Sequence, residues 1–486
     1  TLIGDITAVL SLDHADITSI TSFVDRSILV SRDASALTHS VSIDLGLDVA
    51  VTDIPSNLRD TTELQQFTQE LRVSSNGSGP LQWLLGAFYA DVDRTYAQRL
   101  PTPGYDPFVD LVFGAGTSVA VANGFPLNSP YNADLPYNLT QFAVFGEGSY
   151  DFTDRLTLTA GARYYSFEEN RRFHSGGLFS NGDDRTDSTE SDGLTPRVMA
   201  SYEVSDSVRL NAQASQGFRL GGVNDPLNLP LCTPEDEAIF GSFQSYSDET
   251  SWNYEAGVKV SRPGLTFNAA AFYNDITDLQ VTLDAGSCSS RISFNVPEAH
   301  SGGVEFEIAG SPAPGLELSF AGTVVNSELD ATVVDGSGAV IGGLRTGNRL
   351  PSVPEYQFAA TAAYYFPFQH FGPGNEGFVA ASLQHVGSRF TQPSDQENNP
   401  RSFVSGLPFG GAPGTDATVV DLELEPYTTL NLNAGIENDI WALIFYVNNV
   451  TDENAQLAFD RERGGRARLG FHVMTPRTFG VTARRA

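Results

Sequence analysis

The chain of 486 residues carries two cysteines, two methionines, three tryptophans and a single lysine, Lys259. Two cysteines exclude a disulfide-framework miniprotein and any multi-cysteine zinc or iron–sulfur site. No window holds 18 consecutive apolar residues, which excludes a transmembrane helix. Basic residues are scarce: Lys+Arg 28 against Asp+Glu 59, a formal charge of −31. Such a chain does not hold a nucleic-acid backbone by general electrostatics. The seven histidines, His14, His39, His174, His300, His370, His385 and His472, form no close pair at metal-ligand spacing. HExxH, GxxxxGK[ST] and GxSxG are all absent, so neither an enzyme nor a resident cofactor or metal is expected. The chain starts at Thr1-Leu2-Ile3 without a Met or a basic leader, and is expected to be part of a longer or processed protein.

What is present is strict alternation. Leu156, Leu158, Ala160, Ala162 and Tyr164 share one face; Thr157, Thr159, Gly161 and Arg163 share the other. Val208, Leu210, Ala212 and Ala214 alternate with Arg209, Asn211, Gln213 and Ser215, and Leu430 and Leu432 with Thr429 and Asn431. Side chains in a strand point to opposite faces in turn, so each segment is a strand with one apolar and one polar face. About 17 such segments are counted, the last beginning near Ala467, and helical periodicity is almost absent. The links between them alternate in length. Short ones fall near 13–15, 77–79, 153–155, 205–206, 262–264, 311–315, 367–376 and 437–440. Long ones, rich in Gly, Pro, Asn, Ser and Asp, fall near 33–62, 99–136, 173–190, 221–248, 330–350 and 391–425.

Long strands, short turns on one side and long loops on the other predict an all-β transmembrane antiparallel barrel with periplasmic turns and extracellular loops. Its lipid face is expected to include Leu156, Leu158, Val208, Leu210, Leu316, Leu318, Leu430 and Leu432, with a polar lumen behind. Tyr164-Tyr165, Tyr273 and Tyr364-Tyr365-Phe366 fit aromatic belts at the interfaces. The competing architecture is a soluble sandwich or β-helix, whose strands average about 5–6 residues.

Few residues suggest chemistry. Asp183, Asp184, Asp187, Glu190 and Asp192 read as a solvated loop or a loose divalent-cation site. Glu305 and Glu307 read as lumen-facing carboxylates or a catalytic pair. Arg349, Arg389, Arg401, Arg461, Arg463 and Arg466 lie in or beside long loops, either as contacts to an anionic ligand or as ordinary solvated charge. The sequons at Asn76, Asn138 and Asn449 are discounted as chance matches.

Five motifs in order resemble the barrel domain of TonB-dependent outer-membrane receptors. They are ELQQFTQELRVSSNGSGPLQWLLGAFY over 63–89; Thr195-Pro196-Arg197-Val198 followed by Gln216 to Asn224; Gly347-Asn348-Arg349-Leu350-Pro351-Ser352-Val353-Pro354; Asn448-Asn449-Val450-Thr451-Asp452; and Pro476-Arg477-Thr478-Phe479-Gly480-Val481. Gly221-Gly222 is expected to supply positive φ at a strand-to-loop turn. The chain departs from the family in ending Arg484-Arg485-Ala486 rather than on an aromatic residue.

The resemblance implies import of a scarce ligand, such as siderophore-bound iron, haem, cobalamin or a glycan, in the outer membrane of a Gram-negative bacterium. It implies partnership with the TonB inner-membrane complex through a plug domain, contact with outer-membrane lipid and lipopolysaccharide, and a monomer. A passive porin and a surface adhesin or enzyme are the competing functions. Residues 1–486 are read as the C-terminal part of such a barrel. The family's plugged 22-stranded barrels imply about five further strands and the plug upstream. Cys232 and Cys288 sit on long links of the same, oxidising side and are expected to pair. The loops 99–136, 221–248 and 391–425 are expected to carry ligand recognition.

Overall fold

The computed structural model describes residues 1–47, 54–371, 374–404, 417–462 and 468–485. One 17-stranded antiparallel sheet dominates it. The strands are β1 (Leu2–Ser11), β2 (Ala15–Asp33), β3 (Asn57–Ser75), β4 (Leu81–Arg99), β5 (Asn132–Thr153) and β6 (Leu156–Gly176). Then come β7 (Asp184–Ser205), β8 (Val208–Arg219), β9 (Glu249–Arg262), β10 (Leu265–Asp284), β11 (Arg291–Ala313) and β12 (Leu316–Leu329). The last are β13 (Tyr356–Pro367), β14 (Glu376–Val386), β15 (Tyr427–Glu437), β16 (Trp441–Asn448) and β17 (Thr478–Arg485). Each pairs with its sequence neighbour, as in β1–β2 and β16–β17. Among the described residues β1 and β17 do not pair with each other, so the barrel wall presents two edges.

The register shows which side chains share a face. Leu158 lies opposite Tyr150 and Ala200, Leu210 opposite Tyr202 and Val258, Leu318 opposite Gly310 and Ala362, and Leu432 opposite Ala381 and Val447. Leu156, Val208, Leu316 and Leu430 fall on the same face. This outer face carries two aromatic levels. Phe142 and Tyr150 on β5 are eight residues apart, about 27 Å of strand before tilt, close to an apolar band of ~25 Å. Tyr164 belongs to the outer face, whereas Tyr165 points inward and is buried.

The short links are tight for local reasons. Arg262 pairs with Leu265 across Pro263-Gly264. Gly264 has φ +75, which the second central position of such a turn requires. Several strands run well past the bilayer; β11 has 23 residues. This corrects one boundary. The expected loop 173–190 is mostly strand, because β6 continues to Gly176 and β7 starts at Asp184. A second correction concerns the end of the chain. The segment near Ala467 is not the last wall strand: Arg468–Val473 pairs with Gln456–Glu462 as a loop hairpin, and β17 begins after Pro476. The loops also hold short helices without a clear period in the sequence, α1 (Ser35–Asp44), α2 (Asp106–Phe113), α3 (Thr117–Val121) and α4 (Pro234–Phe240).

A wall one sheet thick has lipid for its apolar side, so the larger hydrophobic clusters sit where loops pack on strand ends, and a smaller one, Ala143, Tyr165 and Phe167, lies on the inner face of β5 and β6. One joins Leu227, Phe240, Leu283, Ile292, Phe294, Leu329 and Leu344. Another joins Val41 of α1 to Leu58, Leu100, Tyr105, Val109, Phe179 and Leu231.

Candidate ligand-recognition site

The loops pack on each other in chain order. Ser42 of α1 bonds Tyr105 at 2.8 Å, and Ser56 bonds Thr102 at 2.8 Å. Burial raises the pKa of Tyr105. Cys232 and Cys288 form a disulfide, with S–S 2.16 Å, which ties the loop after β8 to the β10–β11 hairpin. Asp236 reinforces that tie by accepting from the Ser287 N–H at 2.9 Å and its hydroxyl at 2.5 Å.

The loop over 221–248 folds inward across the sheet. Asp248 accepts from the Tyr165 hydroxyl (2.7 Å), the Ser191 hydroxyl (2.8 Å) and the Gly221 N–H (2.7 Å), clasping β6, β7 and the loop base together. Gly221 and Gly222 are needed here for a reason other than the expected positive φ, which neither has. A Cβ on Gly221 would lie 2.5 Å from the Tyr246 carbonyl oxygen, and one on Gly222 2.5 Å from the Tyr246 hydroxyl. Arg171 on β6 donates to the Val223 carbonyl and pairs with Asp225 at 3.2 Å. Glu169 is buried under the same loop, and that burial raises its pKa.

The loop arginines are largely committed within the loop assembly. Arg349 donates to the Val353 carbonyl at 3.3 Å and to the Ser388 carbonyl, over the Phe390 ring. Arg389 is 7% exposed and donates to the carbonyls of Gln456 and Leu457 at 3.2 and 3.1 Å. Arg401 and Arg461 converge on the Pro393–Gln396 turn. Arg401 donates to the carbonyls of Ser394 and Glu397, and Arg461 pairs with the fully buried Asp395. Burial and the neighbouring Arg461 lower the pKa of Arg401. Glu397 is held below the ordinary glutamate value by the Arg345 guanidinium at 3.0 Å. Arg463 and Arg466 lie outside the described residues.

The acidic run does not converge. Register puts Asp184, Glu190 and Asp192 on the outer face of β7 and Asp187 on the inner face, because a strand alternates. Asp184 pairs with Arg172 at 2.9 Å. Among the described residues no three His, Cys, Asp or Glu side chains are grouped to hold a metal ion. Glu305 and Glu307 face the lumen, lining a cavity of about 440 Å³ with Asn211, Glu255, Lys259 and Asn268.

A second arrangement on the inner face is absent from the sequence reading. Arg94 of β4 stands between the rings of Tyr96 and Tyr137, 5.5 and 5.6 Å from their centroids. Arg171 lies over Tyr137 and Phe173, and Arg185 over Phe173. Lower down, Arg163 lies between Phe88 and Phe145 at 5.4 and 5.6 Å. The available signal was the i, i+2 pairing in Arg94-Thr95-Tyr96 and Arg171-Arg172-Phe173, which puts a cation and a ring on one strand face. Along β4–β7 the lumen wall thus carries arginines beside aromatic rings.

A long-stranded antiparallel wall with an apolar outer belt, short turns and interlocked loops defines a transmembrane barrel of the receptor type. The chain belongs to the family described as TonB dependent receptor-like, beta-barrel, whose model matches residues 10–450. It is 26% identical over 263 residues to the pesticin receptor of Yersinia enterocolitica serotype O:8; the match covers 53% of this chain and 36% of that one. The fold resembles the ferric yersiniabactin uptake receptor FyuA from Yersinia pestis, with TM-score 0.68 and 17% identity over 98% of this chain and 60% of that one. It also resembles the siderophore receptor PiuA from Acinetobacter baumannii, with TM-score 0.65 and 16% identity over 99% and 63% of the two chains. The chain thus spans less than two thirds of these relatives. The family and these relatives are receptors and transporters rather than enzymes.

Proposed function

We propose that this chain forms the wall and loops of an outer-membrane receptor that imports a scarce, metal-chelating small molecule by TonB-coupled transport. The observation that carries this reading is the inward-folded loop over 221–248, clasped by Asp248 and stapled through Cys232–Cys288. A passive porin is served by an open lumen; loops that close over an arginine- and aromatic-lined wall suit capture. The relatives' names, a siderophore receptor and a ferric yersiniabactin uptake receptor among them, support the same direction. The described loop arginines act in this reading as braces that keep the recognition loops in shape. The unpaired edges of β1 and β17 cannot remain unsatisfied in lipid. We infer that about five further strands complete the barrel around an internal plug, on the 22-stranded pattern.

The test is uptake of radiolabelled ferric chelates by cells carrying the full-length gene, with and without a proton uncoupler and with and without TonB. Uptake that is saturable and lost in both treatments is expected. Uptake that survives both would make the protein a passive channel.

A further inference from the structure

We propose that the loop over 221–248 is a one-sided flap, built onto the β10–β11 hairpin and latched to β6 by Glu169 and Arg171, and that the latch opens as pH rises. The flap depends neither on the ligand nor on TonB coupling. Strand lengths set it up. β7 starts at Asp184 and β10 runs to Asp284, whereas β8 stops at Arg219 and β9 begins at Glu249. A notch is thus left in the wall between two tall hairpins, and the loop fills it. The two sides of the notch hold the loop differently. On the β10–β11 side the tie is covalent, Cys232–Cys288, backed by an apolar joint of Leu227 and Phe240 with Leu283, Ile292 and Phe294. Asn224 accepts from the Ser293 N–H at 2.9 Å and donates to its carbonyl at 2.6 Å. Asn295 does the same for Ser247, at 2.7 and 3.0 Å. On the β6–β7 side most ties are polar. Arg171 donates to the Val223 carbonyl and pairs with Asp225, and Glu169 accepts from the Val223 N–H. The loop adds one buried apolar residue to each cluster here, Val223 beside Phe173 and Leu231 with Phe179. A loop fixed by a covalent bond on one side and by displaceable polar contacts on the other opens on the polar side. Opening uncovers Tyr165 and Phe167, which are buried on the inner face of β6 in the closed form.

The latch is unbalanced in charge. Two carboxylates share the Arg171 guanidinium, Glu169 at 3.5 Å and Asp225 at 3.2 Å. The other titratable groups around it are Tyr246 of the loop, Arg219 at the end of β8 and Asp187 on β7. Asp187 stands opposite Arg171 but is paired with Arg185 at 2.6 Å. Glu169 lies three residues past Ser166, the partner of Phe142 in the outer aromatic level, and so outside the bilayer. The closed loop buries its carboxyl, and that burial raises its pKa; Arg171 and the Val223 N–H oppose the rise without cancelling it. With the flap open the carboxyl meets water and titrates in the ordinary glutamate range. Closing therefore takes up a proton. The closed state is favoured at low pH, and that advantage is lost as pH rises through the raised closed-state value.

The experiment is hydrogen–deuterium exchange read by mass spectrometry on the full-length protein in detergent micelles, without ligand. It runs between about pH 5 and about pH 8, with each rate divided by its intrinsic value so that protection is compared. Protection over 222–225 is expected to fall about tenfold across that range, since one pKa unit is a factor of about ten in the closed-to-open ratio. Protection around Ser293 and Asn295, on the fixed side, is expected to stay constant. E169Q keeps an acceptor for the Val223 N–H and loses the titrating proton, so 222–225 should stay protected and flat across the range. R171Q should leave that segment exchanging at every pH, and the double variant C232S/C288S should let exchange rise on the β10–β11 side too. The heat-induced gel shift of the barrel checks that each variant is folded. Protection over 222–225 that matches the wall strands at every pH would overturn the proposal, as would an unchanged pH slope in folded E169Q. Exchange that begins around Ser293 before 222–225 would put the hinge on the opposite side and overturn it equally.

Discussion

Single residues decide how the loop assembly is held. Asp248 is the clearest case: three donors converge on one carboxylate, and hydrogen bonds to charged groups contribute about 1.5–3 kcal/mol each. Asp248→Ala is expected to release the 221–248 loop while the wall stays folded. Limited proteolysis should then cut within 224–245, and a protease-resistant loop in the variant would refute the clasp. The buried pair Arg461–Asp395 predicts a similar local loss. Removing one partner of a buried pair costs about 3–5 kcal/mol, because the other charge is left uncompensated. Glu397 adds a pH dependence with a definite sign. Its carboxyl is held below the ordinary glutamate value by Arg345, then Asn348, so it stabilises the folded loops above its unfolded pKa. That contribution disappears as pH falls through the lower folded value. Protease sensitivity of the Arg345–Glu397 region should rise only below pH ~4, and Glu397→Gln should flatten that profile.

At the scale of strands and hairpins, alternation makes the sharpest prediction. Leu210 is 44% exposed and lies on the lipid face, whereas the neighbouring Asn211 lines the lumen cavity. Leu210→Arg should cost about 2–4 kcal/mol of folding free energy in lipid and Asn211→Arg far less. Equal effects in a bilayer-refolding titration would mean the facing is inverted. The Cys232–Cys288 bond closes a loop of sequence separation 56, worth roughly 3–5 kcal/mol in the chain-entropy model. Native, non-reducing mass spectrometry should find neither thiol open to alkylation. Two alkylatable thiols would show that the loop is not stapled.

The molecule as a whole is a thin wall whose larger hydrophobic clusters form where loops pack on strand ends, so under the proposed function recognition and loop stability are coupled. Deleting residues 399–415, which lie partly outside the described residues, is expected to abolish uptake and leave a heat-modifiable barrel. Uptake at the unaltered rate would remove that loop from the recognition surface. The same deletion takes out Arg401, which donates to the Ser394 and Glu397 carbonyls, so a loosened Pro393–Gln396 turn should accompany the loss.

The wall was legible in the sequence because its rule is local. Period-two alternation in segments such as 156–164 and 207–216 determines strand, face and count, and lipid on one side makes that alternation strict. The reading slipped at Ala467, where a loop hairpin alternates just as a wall strand does; only pairing distinguishes Arg468–Val473 from Thr478–Arg485. Which arginines are tied up by distant segments and which stand among rings was decided by tertiary structure alone. Arg349, Arg389, Arg401 and Arg461 look exposed in a Gly- and Pro-rich stretch, yet they are bound by carbonyls and carboxylates that reach them from up to 68 residues away. Arg94 and Arg163 look like ordinary strand residues, and gain their flanking rings only when β4, β5 and β6 are laid in register. A strand's face is fixed by its own two-residue repeat, whereas the partners of a long, flexible cation are chosen by whichever distant segment the fold brings within its reach.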